Sequence, residues 1–322
     1  MNRNPSLQVD RNDPPKVFFG AFCAMWVLSL AFSQAQGNAA VYLGYLAPQL
    51  AYLGAVAVYL IVKKFPPSVV LPSRPVRRFS PVALVLFTVA TVGVFFQNYL
   101  FSVLTAWGAD AVGLTANVTL PVRTAWYDDL ISVLLLAVLP ALGEEAMFRG
   151  VFLSAYPEGQ KGRGILFAAG VFALSHLNIA QLIHPFLLAV VLGYVVAATG
   201  QIAYAVWMHC FNNLLALFLP RLFPWFASVP SPGWDTFGIL FGGATAGAVL
   251  AAFSLYFAVR FAASRADCNA DPVIFRFVGN NFAKVCYNNK NGVSAFPWNA
   301  ATLAILAALL VFVTVLQAVG SV

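Results

Sequence analysis

The sequence predicts an all-α, polytopic membrane protein of about eight to nine transmembrane helices, and three observations carry that prediction. Of its 322 residues, 61% are hydrophobic and only 9% are charged, with a mean hydropathy of +0.82. Soluble domains are about a quarter charged and just under half apolar, and disorder requires low hydrophobicity. Apolar segments recur from residue 17 to residue 319 with no polar block long enough to house a second globule, so the chain 1–322 reads as one membrane-embedded domain. Lys and Arg, finally, sit at the ends of the apolar runs, as expected when loops on one side of a bilayer retain them.

A helical span needs about 20 largely apolar residues to cross a hydrocarbon core about 30 Å thick. Windows of that kind fall near residues 17–36, 40–62, 81–107, 128–150, 163–183, 185–199, 201–219, 236–262 and 298–319. The first follows Arg11 and Lys16, but it is long, lacks an obvious small-residue cleavage site and leads directly into the second. It therefore reads as a retained helix, not a signal peptide. Lys63, Lys64, Arg74, Arg77 and Arg78 crowd the next connection beside Pro66, Pro67, Pro72 and Pro75, which forbid a continuous helix. This is the strongest cytoplasmic marker. Alternating outward from it puts the N-terminus on the cytoplasmic side, with the loop of Lys161 and Arg163 and the polar loop 263–297 that carries Arg265, Arg276, Lys284 and Lys290. The opposite loops hold little positive charge beyond Arg123 and Arg221. The sixth window is short enough to be re-entrant, and eight spans are the alternative to nine. The expected location is an integral, multi-pass one, the plasma membrane if the source is bacterial.

The net charge of +7 thus reports topology, with no nucleic-acid partner implied. Cys23, Cys210, Cys268 and Cys286 show no Cys-x-x-Cys spacing, so neither a thiolate zinc site nor a disulfide framework is indicated.

Ionisable groups inside apolar segments are costly and usually mark a function. Glu144 and Glu145 lie at the inner end of the fourth window, within Leu142-Gly143-Glu144-Glu145-Ala146-Met147-Phe148-Arg149-Gly150. Glu145 and Arg149 are four apart with the acid first, which suits an ion pair on one helix face. Glu144 is rotated about 100° from that face, so one carboxylate is neutralised and the other left available. His176 follows Phe172 by one turn in the fifth window. His209 and Asn213 share a face of the seventh, where i,i+4 spacing points both at one neighbour. Taken singly, each has a plain alternative: solvation of a helix end, packing, or interhelical hydrogen bonding. Ser175 and Cys210 adjoin His176 and His209 in sequence and so face elsewhere, which argues against either as a nucleophile.

Together, Glu-Glu-x-x-x-Arg, Phe-x-x-x-His and His-x-x-x-Asn on successive apolar helices resemble the CAAX protease and bacteriocin-processing family. That family includes the type II CAAX prenyl proteases. All three motifs match without substitution over about residues 140–215. The resemblance implies membrane-embedded catalytic helices around a cleft open to the cytoplasm. It implies a peptide or protein substrate cut near its C-terminus, prenylated in eukaryotic members, with Glu144 and His176 activating water and His209 and Asn213 holding the oxyanion. A glutamate, two histidines and an amide also supply, on chemical grounds, the base, acid and oxyanion donors that peptide hydrolysis needs.

Metal dependence stays open at this level. Glu144, His176 and His209 could make a two-histidine, one-carboxylate Zn2+ site, as in a metalloendopeptidase. Without His-Glu-x-x-His, the same residues could equally work without metal, and direct glutamate activation is slightly favoured. Transport through intramembrane Glu, His and Arg, or a non-catalytic binding role, are the rival classes. Against transport, the ionisable residues sit in one half of the chain only. Neither the natural substrate nor the oligomeric state is legible. Depth raises a conflict: Glu144 is near the inner end of its span, whereas His176 is some 20 Å along the next. Either the fourth helix runs deeper or the fifth begins below the membrane surface, and Pro140 should kink the fourth.

Overall fold

A computed structural model describes residues 8–71, 80–114, 120–226 and 228–264, together with residues 307, 308 and 311. Its helices are α1 (Asp13–Ala31), α2 (Gly37–Lys63), α3 (Pro81–Ala111), α4 (Trp126–Phe152), α5 (Lys161–Ser175), α6 (Ile183–Thr199), α7 (Ile202–Leu222) and α8 (Trp234–Ser264). No β-strand occurs among the described residues. The polar loop beyond Ser264, Cys268, Cys286, Arg74, Arg77, Arg78 and almost all of the 298–319 window lie outside them.

Among the described residues six helices, α1 to α4, α7 and α8, are long and apolar enough to cross a membrane, and the protein is an integral membrane protein. Of the eight to nine spans expected, the ninth window lies almost wholly outside the described residues, and the fifth and sixth do not form full crossings for a structural reason. The apolar run 163–183 is not one helix: α5 stops at Ser175, Leu177 takes a left-handed conformation at φ +48, and α6 begins at Ile183. At about 1.5 Å per residue, α5 and α6 reach only about 22 and 25 Å, short of a full crossing. They form a hairpin whose turn docks part-way along α3, where Asn98 Nδ2 donates to the His184 carbonyl at 3.3 Å. Thirteen residues of α3, from Tyr99 to Ala111, continue past that contact.

Both ends of the bundle are fastened by polar contacts. Asp13 on α1 pairs with Lys63 on α2 at 2.9 Å and accepts from Tyr59 at 3.1 Å, while Arg11 donates to Gln160 beside α5 at 2.8 Å. At the other end Arg221 of α7 pairs with Asp129 of α4. Asp128 fixes the start of α4 by accepting from the Thr124 and Ala125 backbone N–H groups, each at 2.8 Å, and from Tyr42 at 3.0 Å.

The expected irregularity of α4 takes the form of two π-helical stretches, Val133–Val138 and Ala146–Phe152, on either side of an α-helical Leu139–Glu145. Pro140 has no N–H to give to the carbonyl four residues earlier. Widening the preceding turn is one way to re-satisfy freed carbonyls, and Leu139 N–H duly reaches Leu134 five residues back. Past the glutamates the helix runs seven residues to Phe152, about 10 Å. Glu144 thus lies eight residues before the end of α4, and His176 at the end of α5 instead of inside one continuous run 163–183.

An aromatic core packs behind this region. Phe148 of α4 contacts Phe172 of α5 edge-on at a centroid distance of 5.1 Å, Tyr52 of α2 at 5.7 Å and Phe18 of α1 at 6.0 Å. These rings hold α1, α2, α4 and α5 in register around the polar residues described next.

Candidate active site

Glu145 is fully buried, as is Arg149 but for 3% of its side chain. Arg149 Nη1 donates to Glu145 Oε1 at 2.9 Å, so the ion pair expected from the i,i+4 spacing is present. Arg149 Nη2 donates to the Ala189 carbonyl of α6 at 3.0 Å, and the guanidinium carbon lies 5.4 Å from the centre of the Phe172 ring. One side chain therefore ties α4 to both arms of the α5–α6 hairpin.

A second donor reaches Glu145 that the spacing does not foretell. His209 Nδ1, on α7, lies 2.8 Å from the same Oε1. Facing a carboxylate oxygen, that nitrogen is the protonated one. Glu145 Oε2 has no hydrogen-bond partner among the described residues. Glu145 is thus shared between a guanidinium and an imidazole, and it fixes how the His209 ring is turned.

The other ring nitrogen, His209 Nε2, points to Glu144, 3.6 Å from Oε2. That is beyond a direct hydrogen bond. Glu144 keeps 13% of its side chain exposed and sits across the helix from the Glu145–Arg149 pair, as the 100° rotation requires. Its Oε1 accepts from Gln49 Nε2 of α2 at 3.1 Å. Two carboxylates adjacent in sequence thus stand in unlike surroundings, one buried between a guanidinium and an imidazole and one partly exposed and held by an amide.

His176 occupies the C-cap of α5. Its backbone N–H bonds Ala173 instead of continuing the helix, at 3.3 Å, which leaves the Phe172 carbonyl for side-chain donors. Ser175 Oγ takes it at 2.7 Å and His176 Nδ1 at 2.8 Å. A carbonyl only accepts, so Nδ1 carries the proton and Nε2 the lone pair of the neutral ring. The His176 ring is 4.9 Å from Phe172, which in turn stands 6.1 Å from His209. Asn213, one turn beyond His209, accepts at Oδ1 from Asn212 Nδ2 at 3.3 Å, which leaves its amide nitrogen as the donating end.

The zinc alternative can be tested on this donor set. Among the described residues no group of three or more His, Cys, Asp or Glu side chains is gathered closely enough to hold a metal ion, and that includes Glu144, His176 and His209. His209 Nδ1 bonds Glu145, so Nε2 is the ring nitrogen that faces the site. As they stand, the three side chains are not gathered as a three-ligand centre.

Sequence reasoning missed Gln49, a residue of an otherwise apolar span that is 3% exposed, and Gly150 as a contact point. A Cβ at position 150 would come 2.5 Å from the Val70 carbonyl, so only glycine lets the connection after α2 lie against α4. Gln49 could have been found by extending the search from ionisable residues to amides within apolar windows.

Residues 125–215 match the family model described as type II CAAX prenyl endopeptidase Rce1-like. The match covers α4 to most of α7 and every motif residue named above, whereas α1 to α3 and α8 lie outside it. No curated protein and no solved structure matches the chain.

Proposed function

We propose that the protein is an intramembrane endopeptidase of the CAAX-processing type, hydrolysing a peptide bond of a membrane-associated substrate with water activated by Glu144. The observation that carries this reading is the unlike environment of the two glutamates. Glu145 is consumed by Arg149 and His209, while Glu144 is partly exposed, held at one oxygen only and turned toward a histidine.

In this reading water sits between Glu144 Oε2 and the lone pair of His176 Nε2. Glu144 takes a proton as the oxygen attacks the scissile carbonyl carbon, and the carbonyl oxygen becomes an oxyanion. His209 Nε2–H and the Asn213 amide donate to that oxyanion. Donors already aimed at developing charge are worth far more in a water-poor site than in solution. In that step Nδ1–H stays on Glu145 while Nε2–H serves the oxyanion. The tetrahedral intermediate collapses with breakage of the C–N bond, and the proton held by Glu144 passes to the leaving amine. The products are a carboxylic acid, which ionises by giving its remaining proton to the new N-terminal amine or to solvent, and that new N-terminus.

The type II CAAX description of the matched family supports a C-terminal, lipid-modified peptide as the substrate class. The test is hydrolysis by purified protein of a fluorogenic peptide ending in a farnesylated cysteine and three further residues, beside its unprenylated counterpart, with and without chelator. Cleavage of the farnesylated peptide after the cysteine is the expected result. Failure to cleave either peptide, from protein shown to be folded, would contradict the reading.

A further inference from the structure

We propose that Gln49 is a positioning residue for Glu144, whose amide crosses from α2 to fix which carboxylate oxygen faces the reaction, and that Gly143 is glycine to admit it. This rests on the peptidase reading above, in which Glu144 is the base.

Three observations carry the inference. Gln49 is 3% exposed in an apolar helix beside Pro48, a place where an amide is costly unless it is bonded. Its one hydrogen bond is Nε2–H to Glu144 Oε1 at 3.1 Å, and its own Oε1 has no partner among the described residues. An amide kept only to join helices gains most when both ends bond. This one leaves its acceptor buried and unmatched while its donor serves Glu144.

Third, a Cβ built at position 143 would lie 2.9 Å from Gln49 Oε1 and 3.5 Å from both the Gln49 carbonyl oxygen and Leu53 Cγ. The Gln49 amide fills the volume that any other residue at 143 would need. With Oε1 of Glu144 held in this way, Oε2 is the oxygen turned toward His209, 3.6 Å from Nε2. Tyr52 follows three residues later on the same buried face of α2, its hydroxyl 3.5 Å from Ser175 Oγ, so α2 forms a wall of the site although it lies outside the matched family segment.

The experiment is a double-mutant cycle on the full-length protein, assayed with the farnesylated peptide: Gln49→Met, which keeps length but removes the donor, Gly143→Ala, and both together. Gln49→Met is expected to lower kcat about 10- to 100-fold, the usual scale for a lost charge-assisted hydrogen bond and a misplaced reacting group, with KM and thermal midpoint unchanged. Gly143→Ala should lower kcat on the same scale, because the added methyl group displaces only the flexible end of Gln49 and the chain can still fold. The double variant should be no slower than Gln49→Met alone, since there is no amide left to displace.

Wild-type kcat in Gln49→Met, beside an inactive Glu144→Gln, would overturn the role of Gln49 and leave the peptidase reading standing. Losses that multiply in the double variant would show that Gly143 acts through another contact and overturn the coupling. A fall in activity matched by the unfolded fraction in both single variants would reduce Gln49 to a packing residue. Wild-type protein that cleaves no peptide overturns the peptidase reading itself, and this role with it.

Discussion

Replacing Glu145 by Gln separates two roles that the structure assigns to one carboxylate. Its Oε1 accepts from Arg149 at 2.9 Å and from His209 Nδ1 at 2.8 Å, and the Arg149 side chain is only 3% exposed. Removing the anion leaves a buried guanidinium with only neutral partners, an amide oxygen, the Ala189 carbonyl and the Phe172 ring, and breaking a buried pair in this way costs about 3–5 kcal/mol. Little of that loss comes from Oε2, which bonds nothing among the described residues. The same change deprives His209 of the anion that holds its ring, and losing such an outer partner typically lowers activity about 10- to 100-fold. The two effects come apart in Glu145→Gln/Arg149→Met, where no unpaired charge remains and a buried ion pair has been exchanged for neutral side chains, often at no cost in stability. Thermal unfolding of the two variants, with kcat measured per folded molecule, is the assay. The double variant should regain most of the lost stability and none of the lost turnover. A double variant that recovers both would show that Glu145 serves only as counter-ion to Arg149, and the orienting role would be refuted.

Asn213→Ala withdraws a donor used mainly in the transition state, so kcat and kcat/KM should fall together about 100- to 1000-fold at nearly constant KM; a folded variant with wild-type kcat would remove Asn213 from the site. Gly150→Ala places a methyl group 2.5 Å from the Val70 carbonyl, which is backbone and cannot swing aside, so a stability loss of about 1–3 kcal/mol is expected in thermal unfolding. An unchanged midpoint would show that the connection after α2 is free to move off α4. Dialysis against a strong chelator should leave turnover unchanged and elemental analysis should find less than one metal per chain, because Glu144, His176 and His209 are not gathered as ligands. Reversible loss restored by zinc would contradict the metal-free mechanism.

What the sequence made legible follows from the range of each physical signal. The Glu145–Arg149 pair and the separation of Glu144 from it are consequences of helical periodicity within five residues, and both appear as read. The irregularity of α4 was legible from Pro140, whose missing N–H is a local fact, although its π-helical form was not. Hydropathy failed at 163–183 because it sums apolarity and is blind to backbone conformation: a left-handed Leu177 among apolar neighbours looks no different from a helical one. That error misplaced His176, which caps a short helix instead of lying within a span. The shared Glu145–His209 contact joins residues 64 apart and the Gln49–Glu144 contact residues 95 apart, and no spacing rule reaches across such separations. For Gln49 the trace in the sequence was only that an amide persists in an apolar window, a weak signal beside glutamates and histidines.

The central claim is that Glu144 activates the attacking water while the neighbouring carboxylate does not, and steady-state turnover of the farnesylated peptide by Glu144→Gln protein tests it most directly. Glutamine keeps the shape and can still accept from Gln49 Nε2, so the variant should fold with the wild-type thermal midpoint. It cannot take a proton from water, and the loss of general-base catalysis alone should lower kcat about 100- to 10,000-fold. A folded Glu144→Gln protein that cleaves the peptide at the wild-type rate would contradict the account.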